Sequence, residues 1–258
     1  MPFTFRRGIF YLQMLIARLQ MRFQGEIKSF ENYLPYVHGK CGLEIGGPSQ
    51  VFQRGKILPI YQELGRLDNC DFSESNVWAK HSESFVFDPN KPSGRTFFCD
   101  GSNLVNVLDS TYDILLSSHN LEHFANPVKA LKEWQRVLKP SGALVLVLPY
   151  YRATFDHRRQ PTGVDHMFDD FNQNIGEDDL THLDEILEKH DLTRDPLAGS
   201  KEDFHKRSIN NYSNRCLHHH VFDERNSREL LVRVGFRVLL VDLAIPHHIC
   251  ILASVSAP

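Results

Sequence analysis

The chain has 258 residues, of which 41% are hydrophobic and 24% charged, a composition that is ordinary for a soluble globular protein. This length allows one large α/β domain with an insertion, or two smaller domains. The net charge of -3 gives no electrostatic case for a nucleic-acid partner. No apolar run approaches the roughly 18 residues that a membrane-spanning helix requires.

The N-terminal segment carries apolar residues at helical spacing between Arg6 and Phe23, together with four arginines. This pattern predicts an amphipathic helical extension over residues 1–38 that packs on the domain or on a partner subunit. A basic helix lying on a membrane surface and a targeting peptide remain open alternatives.

Three short apolar runs follow, and each ends at glycine or at a carboxylate. Gly42–Ile45 leads into Gly46-Gly47-Pro48-Ser49, Leu67–Ser73 contains Asp71, and Phe97–Asp100 ends on its own aspartate. Paired glycines directly after a buried strand allow backbone N–H groups to approach a ligand closely. We therefore expect a ligand at this edge of the sheet.

Tyr112–Tyr150 forms a complete strand–loop–helix–turn–strand unit. Tyr112–Ser117 is a buried-type strand, Pro127 begins an amphipathic helix, and Ala143–Leu148 is a second buried-type strand. Two continuous apolar strands joined by a crossover helix are typical of a parallel α/β sheet. Its polar loop, residues 117–123, follows the first strand, where such folds place their chemistry.

The segment from Tyr151 to Val221 interrupts this order, and it is polar and holds eight of the fourteen histidines. Its position over the ligand end of the sheet predicts a lid or a substrate-recognition element. Glu177–His190 has a helical pattern inside it. After it come a helix, Asp223–Val234, and two apolar runs separated by Pro246 that suit a hairpin.

The resulting fold prediction is an α/β protein with a doubly wound, mostly parallel, seven-stranded sheet. Its last strand is antiparallel, and a helical or irregular insertion follows strand five. The predicted segments are the extension 1–38, the ligand-binding core 39–150, the insertion 151–221, and the completing helix and strands 222–258.

Several ligand classes are excluded by missing motifs. The chain has no GxGxxG fingerprint for a dinucleotide, no GxxxxGK[ST] loop for a nucleoside triphosphate, and no GxSxG elbow of a hydrolase.

The sequence YDILLSSHNLEH, the proline-started helix and RVLKPSGALVLVLP resemble the class I S-adenosylmethionine-dependent methyltransferases of the small-molecule type. The family's RVLKPGG motif is closely matched by Arg136–Gly142. The resemblance runs from about Cys41 to Leu148 and, more weakly, through the last two strands. The first glycine motif departs from the family pattern (D/E)xGxGxG, because Pro48 removes an N–H and requires a different local path.

This resemblance implies that S-adenosylmethionine is the cofactor and assigns roles along the strand ends. The first motif would wrap the methionine part of the cofactor, and the acid after strand two would accept both ribose hydroxyls. The acid after strand three would contact the adenine amino group, and the loop after strand four would line the methyl-transfer site. The positions that match these roles are Glu44, Gly46 and Gly47, then Asp71 with Asp68 as a rival, then Asp100, and finally Ser118 and His119.

A small-molecule or sugar-like hydroxyl is the expected acceptor, and it requires a general base, for which histidine is suited near pH 7. The candidates are His119 and His157. An amine acceptor would need no such base, so an N-methyltransferase remains an alternative, as does a non-catalytic protein that binds S-adenosylmethionine. The five cysteines have no CxxC spacing and suggest a reducing, cytoplasmic compartment.

Acidic and histidine residues also cluster in the insertion, where they could bind a divalent ion. No spacing among them is diagnostic of a metal site, so we assign no metal from the sequence. Arg158, Arg159 and Arg215 could bind an anionic part of the substrate or form ion pairs with nearby acids. The clustered residues are Asp156, His157, Asp165, His166, Asp169, Asp170 and His218–His220.

Overall fold

A sheet of eight strands runs through the part of the chain that the computed structural model describes, residues 25–76, 80, 82–195 and 197–255. The strands are β1 (Cys41–Ile45), β2 (Arg66–Asp71), β3 (Ser84–Phe85), β4 (Gly94–Phe98), β5 (Tyr112–Ser118), β6 (Leu138–Pro149), β7 (Phe236–Ala244) and β8 (His248–Val255). Their order across the sheet is β3-β4-β2-β1-β5-β6-β8-β7.

Helices and 3₁₀ turns connect these strands. The helices are α1 (Leu34–Val37), α2 (Pro127–Val137), α3 (Val164–Asn172), α4 (Leu183–Lys189), α5 (Lys201–Ile209), α6 (Asn211–Asn214) and α7 (Glu224–Val234). The 3₁₀ turns are Phe30–Asn32, Gln50–Phe52, Leu121–His123, Tyr151–Ala153 and Leu192–Arg194.

The five strands β4, β2, β1, β5 and β6 are parallel, and β8 is antiparallel to both of its neighbours. This confirms the predicted mostly parallel sheet with an antiparallel last strand. The eighth strand, β3, pairs antiparallel with β4 at the edge. The sequence did not indicate β3, because two residues are too few to form a recognisable apolar pattern.

Local sequence accounts for the β5–α2–β6 unit. The Asn126 side chain accepts a hydrogen bond from the Lys129 N–H at 3.0 Å, and Pro127 occupies the first helical turn, so α2 begins where predicted. The Trp134 indole is fully buried and donates to the Gly101 carbonyl at 2.9 Å. Arg136 binds the Leu104 and Val107 carbonyls, which ties α2 to the loop after β4.

The Lys139-Pro140-Ser141-Gly142 segment bulges out of β6 and does not separate the strand from α2. Leu138 pairs with Tyr112, and the next pair in register is Ala143 with Ile114. Ser141 has a φ of 62°, in the left-handed region. The predicted turn therefore exists, but it lies within a strand that begins directly after the helix.

The two faces of the sheet are covered differently. One face packs against α2, α3 and α7 through buried residues such as Leu131, Met167 and Leu231. The other packs against residues 30–37 and 50–64, which include Tyr33, Phe52 and Tyr61 and whose helical elements are the four-residue α1 and 3₁₀ turns. The sheet is thus covered on both faces, although long helices are seen on only one of them in the described residues.

The predicted helix between Arg6 and Phe23 lies outside the described residues. In the insertion, the expected helix Glu177–His190 is shorter and spans Leu183–Lys189. Residues 176–181 form turns instead, because the Asp179 carboxylate accepts from the N–H and hydroxyl of Thr181 and competes with helical hydrogen bonds. Within the described part of the chain, no helix combines the length and apolar character needed to cross a bilayer.

The strand order reverses between β1 and β5, which places a crevice at the carboxyl ends of these strands. The loops after β1, β2, β4 and β5 meet at this edge, and the insertion after β6 lies across from them.

Candidate active site

A cavity of about 620 Å³ opens at the carboxyl ends of β1, β2, β4 and β5. One side is formed by the loops that follow these strands, and the other by the insertion. The predicted residues that line it are Gly46, Gly47, Asp71, Asp100, Ser118 and His119. The insertion contributes Thr154, Phe155, Glu177, Asp195, Leu197, Arg207, Arg215, Cys216 and His218.

The glycine turn after β1 is held open by two asparagine side chains. Gly46 has a φ of 75°, and a Cβ atom there would lie 2.0 Å from the Asn120 Nδ2 atom. Asn120 donates to the Ile45 carbonyl at 3.1 Å, and the Gly47 N–H donates to Asn69 Oδ1 at 2.9 Å. Only glycine at position 46 allows Asn120 to brace this turn from the opposite strand end. Neither asparagine was singled out from the sequence.

Glu44 does not line the cavity but is fully buried beneath the glycine turn. Its carboxylate accepts hydrogen bonds from the Ser49 N–H at 3.1 Å and from the Tyr61 hydroxyl at 2.6 Å. Burial raises the pKa of Glu44 to about 7, although these hydrogen bonds act in the opposite direction. Glu44 therefore shapes the glycine loop by binding the backbone N–H of Ser49, and that loop would hold the cofactor.

Replacing Glu44 with glutamine is expected to flatten the pH dependence of folding stability. The folded-state pKa near 7 lies above the usual glutamate value of 4.5, so the group's stabilising contribution is complete below about pH 4.5 and is lost as the pH rises through 7. Urea unfolding measures the free energy of unfolding at pH 5 and at pH 8. Between these two pH values, the wild type should lose about 2 kcal/mol more of this free energy than the variant does. Exposed Glu31→Gln serves as the control and should behave as the wild type; equal pH slopes for all three proteins would contradict the assignment.

Asp71 ends β2 and lines the cavity, whereas its rival Asp68 does not. The Asp71 carboxylate accepts from the Ser73 N–H at 3.1 Å and from the Asn76 side chain at 3.2 Å. Asp68 lies deeper in the strand, where it accepts from the Tyr112 hydroxyl and the Arg95 N–H. Of the two acids, Asp71 is therefore the one that can reach a ligand in the cavity.

Asp100 is engaged from both sides of the cavity. One of its oxygens accepts from the Ser102 N–H and hydroxyl at 2.8 and 2.7 Å, and the other lies 3.3 Å from the Arg215 guanidinium. Arg215 also pairs with Glu177 at 2.9 Å, and its guanidinium lies 5.6 Å from the centre of the Phe72 ring. The arginine thus joins the insertion to the acid after β4. Its role was open in the sequence, and the structure shows ion pairing.

Ser118 and His119 end β5 and line the cavity, as expected for a loop beside the transferred group. His119 has a φ of 51°, and its Nε2 atom lies 2.8 Å from Nδ1 of His248. Burial lowers the pKa of His248 to about 4, so this ring is neutral near pH 7. When His119 donates from Nε2 to His248, its Nδ1 atom remains available as a base.

A second histidine, His218, reaches the cavity from the insertion. Its Nδ1 atom lies 2.5 Å from Asp156, and its Nε2 atom lies 4.0 Å from Glu122. Burial alone would lower the pKa of His218, but the Asp156 carboxylate outweighs burial and raises it. Asp156 is fixed in turn by buried Arg159 at 3.2 Å. This is an oriented carboxylate–imidazole pair directed into the cavity.

Glu122 lies beside this pair, and both of its carboxylate oxygens are buried without a hydrogen-bond partner among the described residues. Burial raises the pKa of Glu122 to about 7. The ligand atoms of Glu122, His123 and His218 lie within 4.8 Å of one another. His123 can donate from Nδ1 to the Leu217 carbonyl at 3.1 Å, which leaves its Nε2 lone pair unprotonated. This arrangement suits an acceptor hydroxyl and also a divalent cation.

His157, expected as a possible base, does not line the cavity. Its Nε2 atom lies 3.2 Å from the Asp191 carboxylate, and Arg158 pairs with the same carboxylate at 3.4 Å. Arg159, which was open as an anion-binding residue, is buried and pairs with Asp156 and Glu185. The sequence spacing could not reveal the pairing of His157 with Asp191 or that of Arg159 with Glu185, because these partners lie 34 and 26 residues apart.

Comparisons with known proteins found one matching family and several similar solved structures. The family described as "Methyltransferase domain" matches residues 54–146. No curated protein matches the chain. Similar solved structures include an S-adenosylmethionine-dependent methyltransferase from Mesorhizobium loti, with 12% identity over 88% of this chain and 95% of that chain and a TM-score of 0.48. Another, from Methanosarcina mazei, has 16% identity over 90% and 99% of the two chains and a TM-score of 0.45.

A third similar structure is the Burkholderia thailandensis 1,6-didemethyltoxoflavin-N1-methyltransferase with bound 1,6-didemethyltoxoflavin and S-adenosylhomocysteine. Its identity is 14% over 89% of this chain and 79% of that chain, with a TM-score of 0.46.

The residues present fit S-adenosylmethionine. The cavity joins a glycine turn without side chains, a carboxylate at the end of β2 and a second carboxylate after β4. The strand order and the domain match place these features within a methyltransferase fold. Residues 54–146 carry a methyltransferase domain on a Rossmann-like α/β sheet, and S-adenosylmethionine is its cofactor.

Proposed function

We propose that the protein transfers the methyl group of S-adenosylmethionine to a hydroxyl group of a small or sugar-like molecule. The observation that carries this proposal is the Asp156–His218 pair, which is directed at Glu122 inside the cavity. An oxygen acceptor must lose a proton during transfer, and this pair provides a positioned proton acceptor. An amine that binds in its neutral form attacks through its lone pair and needs no base before transfer.

Cofactor placement follows from the strand ends. We assign the ribose hydroxyls to Asp71, since a carboxylate can accept two hydrogen bonds, and the adenine amino group to Asp100. The methionine part would lie against the backbone of Gly46 and Gly47, which line the cavity. This orientation leaves the methyl group near Ser118 and His119. S-adenosylmethionine supplies a sulfonium-bound methyl group, and its displacement leaves a neutral thioether.

The protein's own groups orient the acceptor and remove its proton. The acceptor hydroxyl would lie between Glu122 and His218. Its proton would pass to the imidazole of His218 as the oxygen–methyl bond forms. Asp156 would hold the His218 ring and stabilise the imidazolium that results. His119 lies near the end of β5 and would position the acceptor; it is the alternative proton acceptor. The insertion would close the cavity and exclude water.

The acceptor class follows from the walls contributed by the insertion. Phe155 and Leu197 provide apolar contacts, and Arg207 is paired with Asp195 at 3.0 Å. This mixture of apolar and paired polar groups suits a neutral polyol or a ring bearing hydroxyl groups better than a highly charged substrate. The five free cysteines support a reducing, cytoplasmic compartment for the reaction.

The test is an acceptor panel in which each hydroxyl compound is paired with its amine analogue. Formation of S-adenosylhomocysteine identifies turnover, and mass spectrometry of the product locates the methyl group. We expect transfer to oxygen in at least one hydroxyl compound and none to its amine partner. Transfer to nitrogen alone would overturn the proposal and favour an N-methyltransferase.

A further inference from the structure

Four side chains outside the cavity converge within the insertion. His166 and Asp170 are one helical turn apart on α3, His182 directly precedes α4, and His220 lies near the return to the core. Their ligand atoms all lie within 4.8 Å of one another. None of the four lines the cavity.

Three of the distances among these atoms are close to those in a tetrahedral coordination shell, and all of them lie within 4.8 Å. His166 Nε2 lies 3.1 Å from His182 Nε2 and 3.6 Å from Asp170 Oδ2, and His220 Nε2 lies 3.5 Å from the same Asp170 oxygen. Ligands bound tetrahedrally at about 2.0–2.1 Å from a zinc ion are about 3.3 Å apart. The observed separations lie close to this value on either side.

Hydrogen bonding within the described residues does not satisfy this cluster. Asp170 Oδ2 and His220 Nδ1 are buried and have no hydrogen-bond partner. His166 and His182 face each other through Nε2 atoms, and only one of two neutral rings can donate in that contact. A cation at the centre would use the lone pairs of all the inward-facing nitrogens together with the unpartnered carboxylate oxygen.

We propose that His166, Asp170, His182 and His220 bind a zinc ion. Three imidazoles and one carboxylate are ligands that zinc accepts, and four protein ligands close the shell, which is typical of a structural site. Sequence spacing alone was not diagnostic, because His182 and His220 come from separate segments.

The ion would fix the insertion to the core. His220 contacts the core directly through its backbone N–H, which donates to the Glu122 carbonyl at 3.4 Å. Its Nε2 atom lies 3.2 Å from the Ala125 carbonyl and, with the ion bound, would direct its lone pair to the ion instead of donating to that oxygen. Binding would join this segment to α3 and to the start of α4. His218 is two residues away, so the zinc ion would hold the cavity wall in place without taking part in methyl transfer.

Metal analysis of the full chain, purified without a histidine tag or chelator, tests the proposal. We expect about one zinc ion per chain by plasma mass spectrometry, and at most about a tenth of that in His182→Ala and Asp170→Ala. Exposed His205→Ala removes a histidine outside the cluster and should retain the full zinc content. Circular dichroism establishes which variants are folded.

If these variants do not fold, the test uses wild-type protein from which a chelator has removed bound metal. Addition of Co²⁺ should then produce the visible absorption of a tetrahedral site, and Zn²⁺ should abolish it and raise the melting temperature. A folded wild type that contains no zinc and gives no such absorption would overturn the proposal. It would also be overturned if Glu122→Gln lost the metal while His182→Ala retained it, since the ion would then lie in the cavity.

Discussion

Replacing His218 with alanine is expected to lower kcat by about 10²–10⁴-fold, the range typical of removing a general base. The cause would be loss of the proton acceptor that Asp156 orients toward Glu122. Binding of S-adenosylmethionine should stay within about twofold of the wild type, because His218 comes from the insertion and not from the strand ends. The measurements are kcat at saturating acceptor and calorimetric titration of the cofactor.

Two further histidine variants make this result specific. His119→Ala removes a second imidazole that lines the cavity, and His157→Ala removes one that binds Asp191 outside it. We expect His157→Ala to retain at least about half of the wild-type kcat. If His119→Ala lost activity to the expected extent while His218→Ala retained it, the base would be His119 and our assignment would be wrong.

Replacing Asp71 with asparagine or alanine is expected to weaken cofactor binding by about 10–100-fold. Hydrogen bonds to a charged group contribute about 1.5–3 kcal/mol, and the two ribose hydroxyls would lose a carboxylate that accepts from both. Calorimetric titration with S-adenosylhomocysteine measures the change directly, because no acceptor is needed.

Asp68→Asn provides the matched comparison for this prediction. Asp68 lies three residues earlier in β2 and binds Tyr112 and Arg95 instead of lining the cavity. The variant should bind S-adenosylhomocysteine as the wild type does, provided that circular dichroism shows it to be folded. Weakened binding in Asp68→Asn with unchanged binding in Asp71→Asn would reverse the assignment of the ribose-binding acid.

The core of the fold could be predicted from sequence because its signals are local. Apolar runs marked the parallel strands, Pro127 marked the start of α2, and the antiparallel end followed from two apolar runs around Pro246. Asp71 and Asp100 could be expected at the ligand edge, since carboxyl ends of parallel strands share one edge of a sheet.

The part of the cavity that would bind the methyl acceptor could not be predicted in the same way, because its residues come together only through packing between distant parts of the chain. His218 lies 62 residues from Asp156 in sequence, and His123 lies 94 residues from Leu217. His157, adjacent to Asp156, was predicted as a candidate base together with His119, but its ring binds Asp191 and does not line the cavity. The sequence shows that the insertion is rich in histidine, but only packing determines which rings face the cavity.

Glu44 illustrates a third kind of outcome. The family resemblance placed it in the motif that wraps the cofactor, and the structure places its carboxylate beneath that loop, on Ser49 and Tyr61. Its position in the motif was recognisable from sequence. Its contacts depended on Tyr61, which lies 17 residues away in an irregular segment.

A crystal structure with S-adenosylhomocysteine is the most direct test of the site described here. We expect the ribose hydroxyls to bind Asp71, the adenine amino group to bind Asp100, and the sulfur atom to face the space between Ser118, Glu122 and His218. A ligand bound elsewhere, or one whose sulfur faces away from Glu122 and His218, would contradict the account.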